Sequence, residues 1–260
     1  MLNITIIGLN KNNYKMKNFI ILITIILIYM QGIPSNAQNI TSQFDNLNRL
    51  ISVDYGNGTV INYTYDANGN HLTETVNSNS FVNVKMVLNG FYNETDNVLR
   101  MKDTVRAYLM NISSPFSTVD SSVSRLDSAT YIALFEFRNA ATGTYYLMIK
   151  HRNSIETWSK SGGFNFTRYS FMNYDFTSAQ SQAFGNNMIL TNGSLWSIYS
   201  GDVNQDGFIE GSDQSAIDND AFNFVSGYVN TDLTGDNYVD ASDAVIAENN
   251  AANFIGRIIP

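Results

Sequence analysis

Cysteine is absent from the 260-residue sequence, which also has only two histidines, three prolines and two tryptophans. Without cysteine there is no disulfide framework, no thiolate nucleophile and no Cys-ligated zinc or iron–sulfur site. With His71 and His151 alone, a His-rich metal centre is out of reach, and a Ser-His-Asp triad would have to recruit one of those two. Positive charge is missing from one long stretch. From Asp202 to Glu248 there is no Lys or Arg, yet that stretch holds eleven of the 23 Asp and Glu residues. The rest of the chain carries 12 acidic and 15 basic side chains, so the net charge of −8 is a local feature. A nucleic-acid partner for the acidic stretch is excluded, because it would bring phosphates against like charge. Carboxylates gathered without cations are costly unless solvent or a metal compensates them.

What is present suits an exported, folded protein. Apolar residues make up 44% and aromatics 13%, enough for a substantial core. Met16-Lys17, the apolar run Phe19 to Met30, Gly32, Pro34 and then Ser35-Asn36-Ala37 stand in the order of a signal peptide and its cleavage site. Twelve apolar residues at 1.5 Å each fall short of roughly 30 Å of hydrocarbon, so residues 1–37 read as a cleaved signal with its start at Met1 or Met16. No membrane span is expected after cleavage, and the expected location is extracellular or on a bacterial surface.

Residues 38–79 read as a β-hairpin arm. Apolar and polar residues alternate about Gly56-Asn57-Gly58, and a second turn follows at Asn68-Gly69-Asn70. Phe44-Asp45, Asn48-Arg49-Leu50, Tyr63-Thr64-Tyr65-Asp66 and Gly69-Asn70 resemble one Rhs-type tyrosine-aspartate repeat over residues 44–76. That family wraps many copies into a β-shell, and a lone hairpin is marginal in water, so a single copy is expected to be a mobile arm or to lean on its neighbour, with no catalytic role.

Residues 80–198 carry short β-branched and aromatic runs: Val82 to Leu88, Val105 to Met110, Tyr131 to Phe137, Thr144 to Lys150, Phe164 to Phe176, Met188 to Leu190 and Leu195 to Tyr199. Turn signals separate them and no 3.6-residue period is sustained, which predicts an antiparallel β-sandwich. Thr142-Gly143-Thr144-Tyr145-Tyr146-Leu147 is similar to a strand entry of prealbumin-like sandwiches. Glu136, Glu156 and Asp175 are candidate acid-base groups only if the fold gathers them. His151 reads as structural or exposed, and Trp158 and Trp196 as core residues rather than a sugar-stacking platform.

Residues 199–260 hold an internal repeat offset by 30 residues. Asp202 to Val225 and Asp232 to Ile255 align without a gap, with eight of 24 pairs identical. Each copy opens with a twelve-residue loop whose positions 1, 3, 5, 7, 9 and 12 carry oxygens suited to calcium. In the first copy these are Asp202, Asn204, Asp206, the carbonyl of Phe208, Glu210 and Asp213. In the second they are Asp232, Thr234, Asp236, the carbonyl of Tyr238, Asp240 and Asp243. The expectation is two Ca2+ sites, the second weaker because Thr234 is a neutral ligand and Asn237 replaces the turn glycine, Gly207. Ile209 and Val239 are expected to face a core while the two loops share a short β-bridge. Helical stretches follow at Asp213 to Ala221 and Asp243 to Ala252.

This loop-then-helix order, opened by Gly201-Asp202-Val203-Asn204-Gln205-Asp206-Gly207, resembles a type I dockerin with paired F-hands over residues 201–256. The expected fold is thus mainly β: a hairpin arm, a β-sandwich and a small α-helical calcium-binding domain. The resemblance implies a cohesin-like or other surface protein as partner. At the family's recognition positions this chain has Gly211-Ser212 and Ala241-Ser242, followed by helices bearing Asp218, Asp220 and Glu248. A cap on its own sandwich is the other role open to the tail. No enzyme activity is expected. The alternatives are a polysaccharide-binding or polysaccharide-degrading component, and a remnant of a larger Rhs-like protein.

Overall fold

The computed structural model describes residues 40–55 and 59–260. The signal segment and the Gly56-Asn57-Gly58 turn lie outside the described residues. Strands β1 (Thr41–Phe44), β2 (Leu50–Asp54), β3 (Thr59–Tyr65) and β4 (His71–Ser78) form an antiparallel meander in sequence order. The expected hairpin is therefore a four-stranded sheet, and the correction has a local cause. Asp45 and Asp66 each close a turn with one carboxylate. Asp45 Oδ1 accepts from the amides of Leu47 and Arg49, and Asp66 Oδ1 from those of Asn68 and Asn70. Each turn adds an outer strand. Arg49 joins them, pairing with Asp45 at 2.7 Å, donating to the Asp66 carbonyl and lying over the Tyr65 ring.

The central strands are β5 (Ser80–Lys85), β6 (Tyr92–Asn93), β7 (Val98–Leu99), β8 (Asp103–Asn111), β9 (Thr118–Leu126), β10 (Ile132–Phe137), β11 (Gly143–His151), β12 (Ser154–Trp158), β13 (Phe164–Phe166), β14 (Phe171–Asp175), β15 (Ile189–Thr191) and β16 (Leu195–Ser197). One sheet has the order β10-β5-β14 and another β12-β11-β8-β9, with β13 also on β11. Their inner faces share one core: Val82, Val84, Ala133, Phe135 and Phe137 from the first, Val105, Ala107, Leu109, Leu147 and Ile149 from the second. Alternate residues of β5 and β8 are buried, as a half-buried strand requires.

The sandwich departs from the expected one in two ways. The sandwich is not wholly antiparallel, because β14 pairs parallel to β5. Nor is Phe164 to Phe176 one strand. Its ends lie in different sheets, separated by a turn in which Tyr169 takes a φ of 62°. Strands β9 and β12 carry no apolar run of the kind the expected strands were read from. The sequence of β9, TVDSSVSRL, earns its place by pairing with β8 along its length.

The tail has helices α1 (Gly211–Phe222) and α2 (Ala241–Ala252), each starting two residues before the expected point. Each is closed at its start by a capping box in which Asp213 or Asp243 is the third helical residue. Val203, Ile217, Leu233, Val239 and Ala247 form a small core of their own. Ile209 joins the main core with Ala251 and Ile255 against it, so tail and sandwich share apolar contacts.

Candidate metal centre

The two loops repeat the same local chemistry. At the sixth position Gly207 has φ 96° and Asn237 has φ 71°, so asparagine holds the backbone region assigned to glycine. At the fifth position Asp206 Oδ1 accepts from the Phe208 amide, and Asp236 Oδ1 from the Tyr238 amide. At the twelfth, Asp213 accepts from the amides of Val203, Asn204 and Glu210, while Asp243 accepts from those of Thr234 and Asp240. Asp202, Asp213, Asp232 and Asp243 are all buried, at 2% exposure or less.

Burying these carboxylates has a visible cost. Desolvation, with the charges of Asp213 and Asp206 nearby, pushes the Asp202 carboxyl up to about 7. Asp202 Oδ1 is buried and has no hydrogen-bond partner among the described residues. Desolvation likewise raises Asp232 and Asp243, against the opposing amides of Gly235 and Asn237 for the first and of Asp240 and Thr234 for the second. Asn204, Asp206, Phe208 and Glu210 of the first loop are exposed, as are Asp236, Tyr238 and Asp240 of the second. Among the described residues no group of three or more Asp, Glu or His side chains stands in metal-holding geometry.

Among the described residues the expected bridge between the two loops does not form. Each loop instead pairs with the exit of the other copy's helix: Phe208 bridges Gly256, and Tyr238 bridges Ser226. The amide of Ile209 reaches the Ile255 carbonyl, and that of Val239 reaches the Val225 carbonyl. Helix endings produce this exchange. After α1 the amides of Phe224 and Val225 return to the carbonyls of Ala221 and Asp220, and after α2 those of Phe254 and Ile255 return to Ala251 and Asn250. This is the Schellman turn, which needs a left-handed residue and usually takes glycine. Here Phe224 (φ 55°) and Phe254 (φ 53°) occupy it. Ile209 and Val239 do face apolar interiors, as expected.

The loops sit differently on the sandwich. The first five residues of the second loop, Asp232 to Asp236, are buried through Gly235, whereas Asn204 to Asp206 of the first are exposed. The β11–β12 turn makes the seat. Asn153 Nδ2 donates to the Asp232 carbonyl at 2.8 Å, and Arg152 donates to the carbonyls of Val229 and Asp232. Arg152 lies between the rings of Phe91 and Tyr228, and its Nε is 2.8 Å from Asp103 Oδ2. The Tyr228 hydroxyl donates to Asp103 Oδ1 at 2.5 Å. On the first loop, Gln205 reaches the Ser154 carbonyl. Asn250 of α2 donates to the Ser200 carbonyl at 2.7 Å.

His151 stands within this seat, 3.1 Å from Asp103 through Nε2 and 3.1 Å from Ser154 Oγ through Nδ1. Burial lowers its pKa, outweighing Asp103. The neutral ring therefore donates from Nε2 to the acceptor-only carboxylate and accepts from Ser154 at Nδ1. Burial pushes Asp103 up, but bonds from His151, Tyr228 and Arg152 prevail and hold it well below the usual carboxylate range. The Ser-His-Asp order is that of a hydrolase, yet Ser154, His151 and Asp103 are 1%, 4% and 3% exposed. A buried hydroxyl cannot meet a substrate, and the group works as a structural clasp.

The other candidates are dispersed. Glu136 pairs with Arg138, Glu156 pairs with Lys150 and accepts from Trp158 Nε1, and Asp175 caps the Thr177 amide. Glu136 and Asp175 lie on opposite edge strands of one sheet, and Glu156 lies in another. Trp158 packs edge-on against Tyr146 and Phe116. Trp196 is part-buried on the main core.

No family model matches the chain, and no curated protein matches it. Among solved structures the chain is similar to one from a C-terminal interface mutant of the type II cohesin–X–dockerin complex of Acetivibrio cellulolyticus. The identity is 17% and the TM-score 0.41, over 68% of this chain and 96% of that one. A chain from an N-terminal interface mutant of the same complex gives 17% identity and a TM-score of 0.38, over 69% and 95%. Among the described residues no helix is long and apolar enough to cross a membrane.

Proposed function

We propose that this is a secreted, non-catalytic module whose calcium-loaded tail caps its own sandwich on one side and docks a second protein on the other. The observation that carries the reading is the division of the tail into two faces. Ile209, Leu233, Asn250 and Ile255 turn inward, whereas Phe222, Phe224 and Phe254 stand 83%, 90% and 91% exposed at the helix ends. Aromatic anchors of this kind carry much of the binding energy where proteins meet. Holding phenylalanine in the left-handed region costs on the order of 1 kcal/mol or more, and among the described residues little packs on either ring to offset it.

Calcium is supported by the buried Asp202 Oδ1, which has no partner among the described residues and which a hard cation would satisfy. Asp202, Asn204, Asp206, the Phe208 carbonyl, Glu210 and Asp213 would hold one ion. Asp232, Thr234, Asp236, the Tyr238 carbonyl, Asp240 and Asp243 would hold the other. When bound, the ions compensate the carboxylates and leave the two-faced tail in one shape. A cohesin-like surface protein is the partner class proposed.

The test is calorimetric calcium titration of the mature chain, followed by biolayer interferometry against a panel of cohesin-type domains with and without EGTA. Two bound ions and EGTA-reversible capture, lost in a Phe222→Ser, Phe224→Ser, Phe254→Ser variant, would support the reading. A tail that binds no calcium would sink it.

A further inference from the structure

The outer face of the β10-β5-β14 sheet carries side chains in rows that the strand registers align. Phe171, Phe81 and Glu136 form one row, Asn173, Asn83 and Leu134 the next, and Asp175, Lys85 and Ile132 the third. The pairs across β5 and β14 are in contact. The Phe81 and Phe171 ring centroids are 6.3 Å apart, Asn83 Nδ2 is 3.3 Å from Asn173 Oδ1, and Lys85 Nζ is 4.0 Å from Asp175 Oδ2. Phe171 is 45% exposed and Leu134 44%.

The aromatic pair is a ridge between two open clefts. The cleft on the Phe81 side measures about 460 Å³ and includes Ser121, Ser122 and Asn139. That on the Phe171 side measures about 670 Å³ and includes Asn165, Asn173 and Gln182. Charge is largely spent within the face, and among the described residues Lys160, at the second cleft, is a cation that makes no ion pair. Glu136 pairs with Arg138 and Asp175 with Lys85, while the Asp120 carboxylate accepts from the amides of Ser121, Asn139 and Ala140.

We infer that this face binds a neutral oligosaccharide. Its ring faces would stack on Phe171 and Phe81, and its hydroxyls would exchange hydrogen bonds with the amides on either side. Each requirement is met separately. Aromatic faces offer a flat apolar surface to sugar C–H groups. Side-chain amides both donate and accept, as hydroxyls do. Paired charges give no advantage to an ionic ligand. A protein partner fits less well, since the apolar side chains Phe81, Phe171, Leu134, Ile132 and Val123 are interrupted by the amide and ion pairs between them and form no continuous apolar centre for a stable interface. The site uses no residue of the tail, so it stands or falls apart from the docking and calcium readings.

The test uses the mature, calcium-saturated chain and calorimetry with cellohexaose, xylohexaose and mannohexaose, with an oligogalacturonate as the charged probe. At least one neutral hexaose is expected to bind, the charged probe less well. Phe171→Ala and Asn173→Ala should each weaken binding by about tenfold or more while leaving the melting temperature in place. Absence of binding by all three neutral probes would overturn the site, as would binding that survives both substitutions. A concentration-dependent dimer that Phe171→Ala abolishes would also overturn it, by assigning the face to a second copy of the chain.

Discussion

A β-carbon added to Gly90 would stand 2.2 Å from the carbonyl oxygen of Leu233. The backbone of the sandwich and that of the second loop are therefore in direct contact, and only glycine permits the approach. Gly90→Ala should force the loop off its seat. The expected result is a loss on the order of 2 kcal/mol or more in urea unfolding, with a weaker second calcium site by calorimetry. Unchanged stability would show that the loop does not rest there.

Arg152 should couple the sandwich to the same loop. Arg152→Ala leaves the buried Asp103 without its cation and removes the donor to Val229. A loss of about 3 kcal/mol or more is expected. The isolated variant should also lose calcium affinity at the second loop more than at the first, read as two resolved steps in calorimetry. Equal loss at both loops would count against a seat specific to the second.

Asp202→Asn should act in opposite directions with and without metal. In EGTA at pH 8 it removes a desolvated charge, and the melting temperature should rise by about 4 °C or more. In excess calcium it removes a ligand of the first site, and the melting temperature should fall below that of the parent chain. A variant less stable than the parent in both media would show that Asp202 has a structural role independent of charge.

Phe224→Gly and Phe254→Gly place the residue that prefers the left-handed region where an exposed ring now stands. Each should stabilise the chain by up to about 1 kcal/mol in urea unfolding. The same variants should weaken partner capture. A loss of stability instead would mean that the rings pack within this chain.

Burial holds the folded pKa of His151 below its ordinary value, so the folded state binds fewer protons than the unfolded chain as the pH falls. The contribution of a neutral His151 is complete above the unfolded pKa of about 6.5 and is lost progressively below it. Asp103, held low, adds a loss of the same sign below about pH 3.8. His151→Gln cannot take up the proton. The stability difference between parent and variant, measured in EGTA, should shrink from pH 7.5 to pH 5.5, and a constant difference would refute the assignment.

Local chemistry was legible in the sequence because it acts over a few residues. The 30-residue repeat, the left-handed Asn237 and the turn at Asn68-Gly69-Asn70 all follow from side chains and backbone within one loop. So does the placement of Ile209 and Val239 in apolar interiors. The first turn of the N-terminal segment, at Asp45, is equally local in its bonding, yet nothing in the sequence announces it, because its Asp-Asn-Leu-Asn carries no glycine. Tertiary structure decided the rest. Strand β9 is rich in hydroxyls and is a strand because β8 lies beside it. The parallel pairing of β14 with β5 joins residues 90 apart and depends on the chain between them. The clasp of Asp103, His151, Arg152 and Tyr228 spans 125 residues, and its members have no shared period or motif. Their chemistry arises only when burial removes water and leaves each polar group no partner but the others.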